Sequence, residues 1–359
     1  MIDGLLMQRI NFNLAHLEPP VTSVTNLLYH GGHVYVAAPN LLLKLNALTL
    51  TVEQHVVYGP NMDAASCRYH PVEECPTDAI KRPADNYNKL LLVHAQQDAL
   101  VSCWTWRQGV CDLRSLADLT RLLETSTTPV VASDPFNSTV GFVARAANSQ
   151  PLLYVGVTHN ALGPYRDEVP ALAGRSLQSA PRFMHVLAAN SQGLKASKAS
   201  IEFMARFTKT FVVKYVHAFN VGVYNYFLSV QHMDADAAAV SSSSGKLVTK
   251  VARLCLNDLS FTKSYMEMPL RCESSAKGSP SSLRSIHYNE LVAAKLVLVR
   301  SGGSRLEEAA AATGSYVVMG LFQETERGTF NESLPQDKET SDDGPKGESK
   351  KIKKFIIFF

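Results

Sequence analysis

The feature that most constrains this chain is its succession of short apolar segments separated by turn residues. Such segments, rich in Val, Leu, Tyr and Phe, are typical of β-strands, whereas helices need longer stretches with a 3.6-residue period. Three segments stand out because each lies beside a turn or a cysteine: residues 32–40, 85–93 and 103–111. The pattern predicts an all-β protein.

The arrangement of the segments narrows the choice of β-fold. Residues 211–219, 223–231, 246–256 and 265–270 are apolar segments joined by turns, and we expect them to form one antiparallel sheet. Several sheets of this kind predict a β-propeller or a large sandwich. No fixed repeat period is visible, so propellers of the WD40 or kelch type are not supported. Residues 115–124 carry leucines at helical spacing and predict one short amphipathic helix.

Composition and charge limit the class of protein. The chain has 359 residues, 46% of them hydrophobic, which is enough to bury a large core. The formal net charge is only +3, so we expect no nucleic-acid partner, since such partners require concentrated Lys and Arg. Residues 324–359 are densely charged, and we expect a disordered tail there and an irregular segment over residues 1–25.

The cysteines indicate an oxidising compartment. They are even in number and fall in pairs along the chain: Cys67, Cys75, Cys103, Cys111, Cys255 and Cys272. Six cysteines allow fifteen connectivities, and pairing within the first two pairs is the simplest of them. Zinc is disfavoured because structural zinc sites use cysteines two to four residues apart. Six reduced core thiols in a cytosolic protein are the alternative.

Motifs for chemistry and for membrane insertion are absent from the sequence. It contains no Walker-type phosphate loop, no Gly-x-Ser-x-Gly elbow and no His-Glu-x-x-His pair, so we expect no enzyme, no cofactor, no metal and no small-molecule substrate. Polar residues interrupt every apolar stretch near the start, so no leader is visible. The best candidate span, residues 211–230, contains Lys214 and several other polar residues that a lipid-embedded helix disfavours.

Two local motifs suggest surface features. Asn137 is followed by Ser and Thr, which fits the glycosylation acceptor pattern, and the adjacent Asp134-Pro135 turn favours exposure. Trp104 and Trp106 alternate along a predicted strand and would therefore share one face. They are interpreted either as a binding hot spot or as rings packed between two sheets.

The order and spacing of the motifs resemble the extracellular sema domain of plexins, most closely the A-type plexins of invertebrates. The resemblance extends over residues 26–323. It rests on residues 34–40, Gly59-Pro60, the loop from Cys67 to Cys75, Asp85-Asn86 with residues 88–92, the loop from Cys103 to Cys111, and residues 154–158, 164–171, 175–177, 251–255 and 264–272.

That resemblance implies a fold and a set of disulfides. The sema domain is a seven-bladed β-propeller, of which residues 26–323 would supply about four to five blades. Cys67 would pair with Cys75 and Cys103 with Cys111. Cys255 and Cys272 resemble cysteines whose partners lie further along the family's propeller, so their pairing stays open. We therefore expect a truncated plexin that lacks its leader, its last blades, its membrane span and its cytoplasmic region.

The same resemblance implies a receptor. Plexins bind semaphorins by protein–protein contact on the extracellular side of the plasma membrane, in axon guidance and cell-migration signalling. The expected partner is therefore a semaphorin, together with a co-receptor or a second plexin copy, while the ligand-contact residues remain unassigned. Two alternatives stay open: a semaphorin-like secreted ligand, which shares the propeller, and a secreted enzyme on a propeller scaffold.

Overall fold

A computed structural model describes residues 18–69, 73–145, 150–158, 169–187, 199–202, 211–233, 247–275, 285–299, 315–323 and 352–358. Within these ranges the regular structure consists of 25 β-strands and two 3₁₀ helices of three residues each, which confirms the prediction of an all-β protein. No helix in these ranges has the length and apolar character needed to cross a membrane. The chain divides into two compact units. The first comprises Met1–Pro135 and Gln178–Met184, and the second comprises Phe136–Leu177 and His185–Phe359.

The first unit begins with a four-stranded antiparallel sheet in which each strand pairs with the next along the chain. Its strands are β1 (Asn26–His30), β2 (His33–Ala38), β3 (Leu41–Asn46) and β4 (Val52–Val57). The turn between β1 and β2 uses Gly31 and Gly32, whose φ angles of 56° and 78° fit a two-residue hairpin. β2 and β3 are buried on both faces, which explains why their apolar residues run together instead of alternating.

Two short hairpins follow the first sheet. Their strands are β5 (Asn61–Asp63), β6 (Arg68–Tyr69), β7 (Glu73–Glu74) and β8 (Arg82–Ala84). β5 pairs with β8, and β6 pairs with β7, so one hairpin is nested inside the other along the chain. A disulfide between Cys67 and Cys75 closes the inner hairpin.

The second sheet of this unit is again a four-stranded antiparallel meander. Its strands are β9 (Asn88–His94), β10 (Ala99–Trp104), β11 (Cys111–Ser115) and β12 (Leu122–Thr125). The 3₁₀ helices Ala95–Gln97 and Trp106–Gln108 lie in the two connections on either side of β10. The apolar side chains of the two sheets pack together in one core that includes Tyr35, Leu42, Leu91, Leu100 and Trp104.

The amphipathic helix predicted over residues 115–124 is wrong. β11 and β12 occupy the two ends of that segment, and a turn joins them in which the carboxylate of Asp118 accepts hydrogen bonds from the N–H and the hydroxyl of Thr120 at 2.9 and 2.7 Å. Leu116 and Leu119 nevertheless reach the core, at 5% and 0% exposure. The leucine spacing reflects a loop that faces the core, which periodicity alone does not distinguish from a helical turn.

The second unit contains two further four-stranded antiparallel sheets. The first consists of β13 (Thr139–Arg145), β14 (Pro151–Val157), β15 (Leu172–Ser176) and β16 (Ser200–Ile201). The second consists of β17 (Val213–Val221), β18 (Tyr224–His232), β19 (Leu247–Cys255) and β20 (Met266–Pro269). The second of these confirms the single antiparallel sheet predicted between residues 211 and 270.

The unit ends with a hairpin and a three-stranded sheet. Their strands are β21 (Cys272–Ser275), β22 (Ser285–Tyr288), β23 (Glu290–Val299), β24 (Ser315–Gln323) and β25 (Ile352–Phe358). β25 lies inside the tail predicted to be disordered, yet its backbone pairs with β24 from Val317 opposite Phe358 to Gln323 opposite Ile352. Ile and Phe favour β-structure and make up five of the seven residues of this strand, which explains why a strand forms despite its two lysines. Residues 324–351 lie outside the described residues.

Two cores hold the second unit together. One lies between the sheets β13–β16 and β17–β20 and includes Tyr154, Tyr215, Phe227 and Phe261. The other lies on the opposite face of β17–β19, where Leu228 and Val230 meet residues of the last sheet. β13, β17 and β23, which are the first strands of three sheets, are neighbours in space. Sheets that begin with neighbouring strands and stack face to face are the arrangement that a propeller requires.

Candidate binding surface

The three sequence stretches that lie beside turns or cysteines meet at two buried asparagines, Asn40 and Asn86. Asn40 follows β2 with a φ of 65°, a left-handed conformation that asparagine tolerates better than most residues. Its side-chain oxygen accepts a hydrogen bond from the backbone N–H of Asn86 at 2.7 Å, and its amide donates to the carboxylate of Asp85 at 2.7 Å. The turn after β2 is therefore held against the segment that precedes β9.

Asn86 extends this connection to the second cysteine loop. Its side-chain oxygen accepts hydrogen bonds from the backbone N–H of Trp106 at 3.0 Å and from the hydroxyl of Thr105 at 3.3 Å. Its amide donates to the carbonyl of Tyr58, just after β4, at 3.0 Å. Asn86 is 1% exposed, so water is not available to replace these partners. We call Asn40, Asn86 and Thr105, with the backbone groups they bond, the asparagine junction.

The two tryptophans have different environments, and the prediction that they share a strand face is wrong. Trp104 ends β10, is 1% exposed and stacks on Tyr58 with the ring centres 4.0 Å apart. Its indole N–H donates to the hydroxyl of Ser102 at 2.6 Å. Trp106 lies in the following 3₁₀ helix and is half-buried, with the guanidinium carbon of Arg107 at 4.2 Å from its ring centre. Trp104 is therefore a packed core ring, and only Trp106 has a partly accessible face.

Tyr58, Asp112 and Arg114 form a polar network beside the stacked pair. The Nε of Arg114 donates to the Tyr58 hydroxyl at 2.6 Å, and its Nη2 lies 3.4 Å from the carboxylate of Asp112. That carboxylate also accepts from the Tyr58 hydroxyl at 3.1 Å and from the Thr125 hydroxyl at 2.9 Å. Burial of the phenol, reinforced by the charge of Asp112, raises the pKa of Tyr58 far above its usual range. The hydroxyl therefore stays protonated and acts as a fixed structural donor.

These residues line a groove of about 410 Å³ in the first unit. Asp112 is the single carboxylate of its lining, and that carboxylate is already engaged by Tyr58, Arg114 and Thr125. Val57 and Leu122 contribute apolar side chains to the groove and are 52% and 49% exposed. Because the carboxylate of Asp112 is already hydrogen-bonded, it is poorly placed to act as a general acid or base. The exposed apolar side chains at the edge of the groove favour contact with another protein.

The four early cysteines form two disulfides, Cys67 with Cys75 and Cys103 with Cys111. Cys103 and Cys111 lie directly opposite each other on β10 and β11, and both are fully buried. The side-chain amide of Gln108, inside the second loop, donates a hydrogen bond to the carbonyl of Cys67. The two disulfide loops are therefore joined to each other as well as to the asparagine junction.

The two later cysteines remain thiols. Cys255 ends β19 and is half-buried, whereas Cys272 begins β21 and is 6% exposed. Their pairing with cysteines further along the family's propeller stays a prediction.

A single cluster of potential metal ligands occurs among the residues that the structure describes, namely Cys67, Glu73 and Cys75. Both sulfurs are bonded to each other, and the carboxylate of Glu73 forms an ion pair with Lys81 at 2.8 Å. Metal ions bind cysteine as the thiolate, so this cluster does not offer a metal site while the disulfide is intact.

Asn137 does not have the exposure on which its predicted glycosylation depended. Its side chain is 4% exposed, although Phe136 next to it is 65% exposed. Ser138 is also engaged, since its hydroxyl donates to the carbonyl of Tyr215 at 2.5 Å and lies 2.6 Å from the hydroxyl of Thr158. Glycosylation of Asn137 stays a prediction.

Sequence reasoning quoted Asn40 and Asn86 within motifs but assigned them no role. It missed the network of Tyr58, Asp112 and Arg114 altogether, because Tyr58 lies more than fifty residues before the other two and no local pattern joins it to them. For the asparagines, a signal was present: each lies in a turn next to an apolar strand, where an amide side chain often bonds to backbone groups.

The disulfide that is buried at both cysteines should contribute more to stability than the one that is exposed at Cys75. Replacing Cys103 and Cys111 together by alanine should lower the free energy of unfolding of the first unit by about 2–3 kcal/mol, because the bond closes a short loop. Urea denaturation followed by tryptophan fluorescence measures this unit, since both tryptophans of the chain lie in it.

The matched control removes Cys67 and Cys75, which are also eight residues apart, so the chain-entropy contribution is the same. Cys75 is exposed, and we therefore expect a smaller loss for this pair. If removing Cys67 and Cys75 lowered the free energy of unfolding as much as removing Cys103 and Cys111, packing around the buried pair would contribute nothing to stability.

Comparison with known proteins gives relatives of one family, although no family model matches the chain. The chain is 29% identical over 273 residues to Plexin-A2 of Homo sapiens and 33% identical over 259 residues to Plexin-B1 of Homo sapiens. These regions cover 73% and 69% of the chain. The chain spans only 14% and 11% of the length of these curated relatives.

Among solved structures, the full extracellular region of Plexin A4, domains 1 to 10, has the same fold. The TM-score is 0.68 at 21% sequence identity, and the match covers 84% of this chain and 25% of that one. At this identity the structural match bears on the fold alone, and the two human relatives supply the link in sequence. The chain is therefore a member of the plexin family, and its fold is the β-propeller of the plexin sema domain.

Proposed function

We propose that this chain is part of the ectodomain of a plexin-type cell-surface receptor that binds semaphorins through protein–protein contact, in axon guidance and cell-migration signalling. The observation that carries the proposal is the similarity to plexins over about 70% of the chain. Residues 26–323 form the propeller part in this proposal, β25 of the segment 324–359 adds a strand to its last sheet, and residues 1–25 lie outside it.

The asparagine junction and the two disulfides give the proposal a physical basis. They hold the turns after β2 and β4 and the loop after β10 in fixed relative positions. Loops that are already ordered lose little conformational freedom on binding, so more of the interaction energy contributes to affinity. Fixed loops on a rigid β-scaffold are the usual means by which such scaffolds present binding surfaces.

The proposed location is the extracellular side of the plasma membrane. Disulfides such as Cys67–Cys75 and Cys103–Cys111 form and persist in oxidising compartments and are rare in the cytosol. A co-receptor or a second plexin copy is the further partner that this location would provide.

A binding assay with the full chain tests the receptor proposal. We expect at least one semaphorin ectodomain to bind the immobilised chain saturably, in the micromolar range or tighter, as measured by surface plasmon resonance. The control is the same chain after reduction and alkylation, which removes both disulfides and should abolish binding. Equal binding by the reduced chain, or no saturable binding to any semaphorin by a chain that melts cooperatively, would contradict the proposal.

The same assay distinguishes the hypothesis of a semaphorin-like ligand from the receptor proposal. A secreted ligand on this propeller would bind plexin ectodomains and not semaphorins, and that result would replace the receptor proposal. The enzyme alternative requires a cluster of acidic or histidine side chains that are not already engaged in hydrogen bonds or ion pairs. Robust turnover in a hydrolase panel, lost on changing one acidic residue, would favour it instead.

A further inference from the structure

An open cavity of about 350 Å³ lies in the second unit where the first strands of three sheets come together. β13 contributes Phe142 and Val143, β23 contributes Lys295 and Leu296, and the rest of the lining comes from β17, at residues 217–220. Five apolar side chains therefore share the walls with Asn220 and with two side chains that carry or can carry positive charge. The cavity does not depend on the groove of the first unit or on any disulfide.

The charges of the cavity have one sign. Lys295 is the only charged residue of the lining, His217 is the only other titratable one, and no carboxylate is among the lining residues. The ammonium group of Lys295 is in no ion pair within the described part of the chain, whereas Lys250 of the neighbouring sheet pairs with Glu267 at 3.4 Å. A cationic, partly apolar recess without a counter-charge is electrostatically complementary to an anion.

His217 adds a second polar group that is not satisfied in the folded chain. Its Nε2 is buried and has no hydrogen-bond partner. Burial of the ring, together with the nearby charge of Lys295, lowers the pKa of His217 below its usual value. Among the described residues around it, β13 presents Phe142 and Val143, β18 places Leu228 opposite it, and the nearest titratable side chain of β18 is Tyr226, which stacks on Phe219. The imidazole is therefore neutral near neutral pH.

We propose that this cavity is a binding site for a small organic carboxylate with an apolar body, held by direct contact with the ammonium group of Lys295 and by the electrostatic influence of the adjacent imidazole of His217, whose buried Nε2 the ligand does not reach. The carboxylate would face Lys295, and its apolar part would lie against Phe142, Val143 and Leu296. An anion placed there offsets the repulsion between the two cationic groups and favours the protonated imidazole. Binding therefore takes up a proton and becomes tighter as the pH falls through the range in which histidine titrates.

The probe for this site is 4-fluorobenzoate, and the full chain is titrated with it by ¹⁹F NMR. We expect saturable binding that is stronger at about pH 5.5 than at about pH 7.5, because histidine changes charge in that interval. The carboxylate itself stays ionised across it, since carboxyl groups lose their proton below about pH 5. The neutral isostere 4-fluorobenzamide should bind at least roughly tenfold more weakly, as expected for loss of one charge-assisted contact.

Two variants test the named residues. Lys295→Met should weaken 4-fluorobenzoate binding roughly tenfold. Lys250→Met removes the same charge from the same unit away from the cavity and should leave binding unchanged. His217→Gln should retain binding at neutral pH and lose the pH dependence. In the wild-type chain, the ¹H NMR resonance of the His217 ring should titrate at higher pH when the probe is present, which tests the imidazole even if the variant does not fold.

Three results would overturn the proposal. The first is equal affinity for 4-fluorobenzoate and 4-fluorobenzamide, which would indicate apolar binding without an anion site. The second is unchanged affinity in Lys295→Met. The third is the absence of saturable binding at millimolar probe by a chain whose circular dichroism shows a folded β-protein.

Discussion

Replacing Asn86 by alanine should destabilise the first unit by about 2–4 kcal/mol, because two groups lose their hydrogen-bond partner and a third, the carbonyl of Tyr58, keeps only its bond from Asn61. The carbonyl of Tyr58, the N–H of Trp106 and the hydroxyl of Thr105 all bond to this one side chain. A buried polar group left without a partner costs about 1–3 kcal/mol, so the N–H of Trp106 and the hydroxyl of Thr105 together reach a large part of the 5–15 kcal/mol that stabilises a typical domain. We expect Asn86→Ala to unfold at markedly lower urea concentration than the wild-type chain, as followed by tryptophan fluorescence.

Asn46→Ala is the matched control for this change. The side-chain oxygen of Asn46 also accepts two backbone hydrogen bonds, from Leu48 at 2.9 Å and from Thr49 at 3.2 Å. These bonds lie in an exposed turn between β3 and β4, where water can replace them, so the loss should stay below about 1 kcal/mol. If both variants lost the same stability, burial of the junction would not be the source of its contribution.

The strands could be predicted from the sequence because their signals are local. The antiparallel sheet between residues 211 and 270 was expected from four apolar segments and the turns between them, and the structure has it. The all-β class follows in the same way. Pairing between neighbours along the chain requires only short connections, so sequence order is enough to fix the order of strands within each four-stranded sheet.

The asparagine junction could not be predicted in this way. Asn40 lies 46 residues before Asn86, and Thr105 lies 19 residues after it. Their contact depends on which turns of two different sheets come to the same place, and no local period carries that information. The turn-forming character of each asparagine was visible, but the identity of its partners was not.

Local patterns did not predict burial or pairing where these depended on the tertiary structure. Trp106 follows the alternation of a strand, yet the chain leaves the sheet after Trp104 and turns into a 3₁₀ helix. Asn137 fits an acceptor pattern that says nothing about burial, and its side chain lies inside the fold. The strand β25 was missed because the charged residues before it dominate the composition of the segment. In each case the local pattern is present in the sequence, but the burial or strand pairing of the residue depends on residues distant along the chain.

The loop closed by the second disulfide contains the position that should tolerate a side chain least, which is Gly109. Its φ is 101°, a conformation that L-residues rarely adopt, and a Cβ there would lie 2.1 Å from the carbonyl oxygen of Val131. The Gly109 carbonyl also accepts hydrogen bonds from the N–H groups of Val130 and Val131, at 2.7 and 3.1 Å, so the two segments cannot separate without losing both. Gly109→Ala should destabilise the first unit by at least about 3 kcal/mol, which combines backbone strain with a steric clash.

Gly32→Ala separates these two contributions. Gly32 also has a positive φ, of 78°, but a Cβ there meets nothing within 4 Å. This variant should therefore lose only the conformational cost of the left-handed backbone, about 1–2 kcal/mol. Both changes are measured by urea denaturation with tryptophan fluorescence, because both glycines lie in the unit that contains the tryptophans. The excess loss in Gly109→Ala measures the clash with Val131, and its absence would mean that the loop after β10 shifts easily and does not hold the junction residues in place.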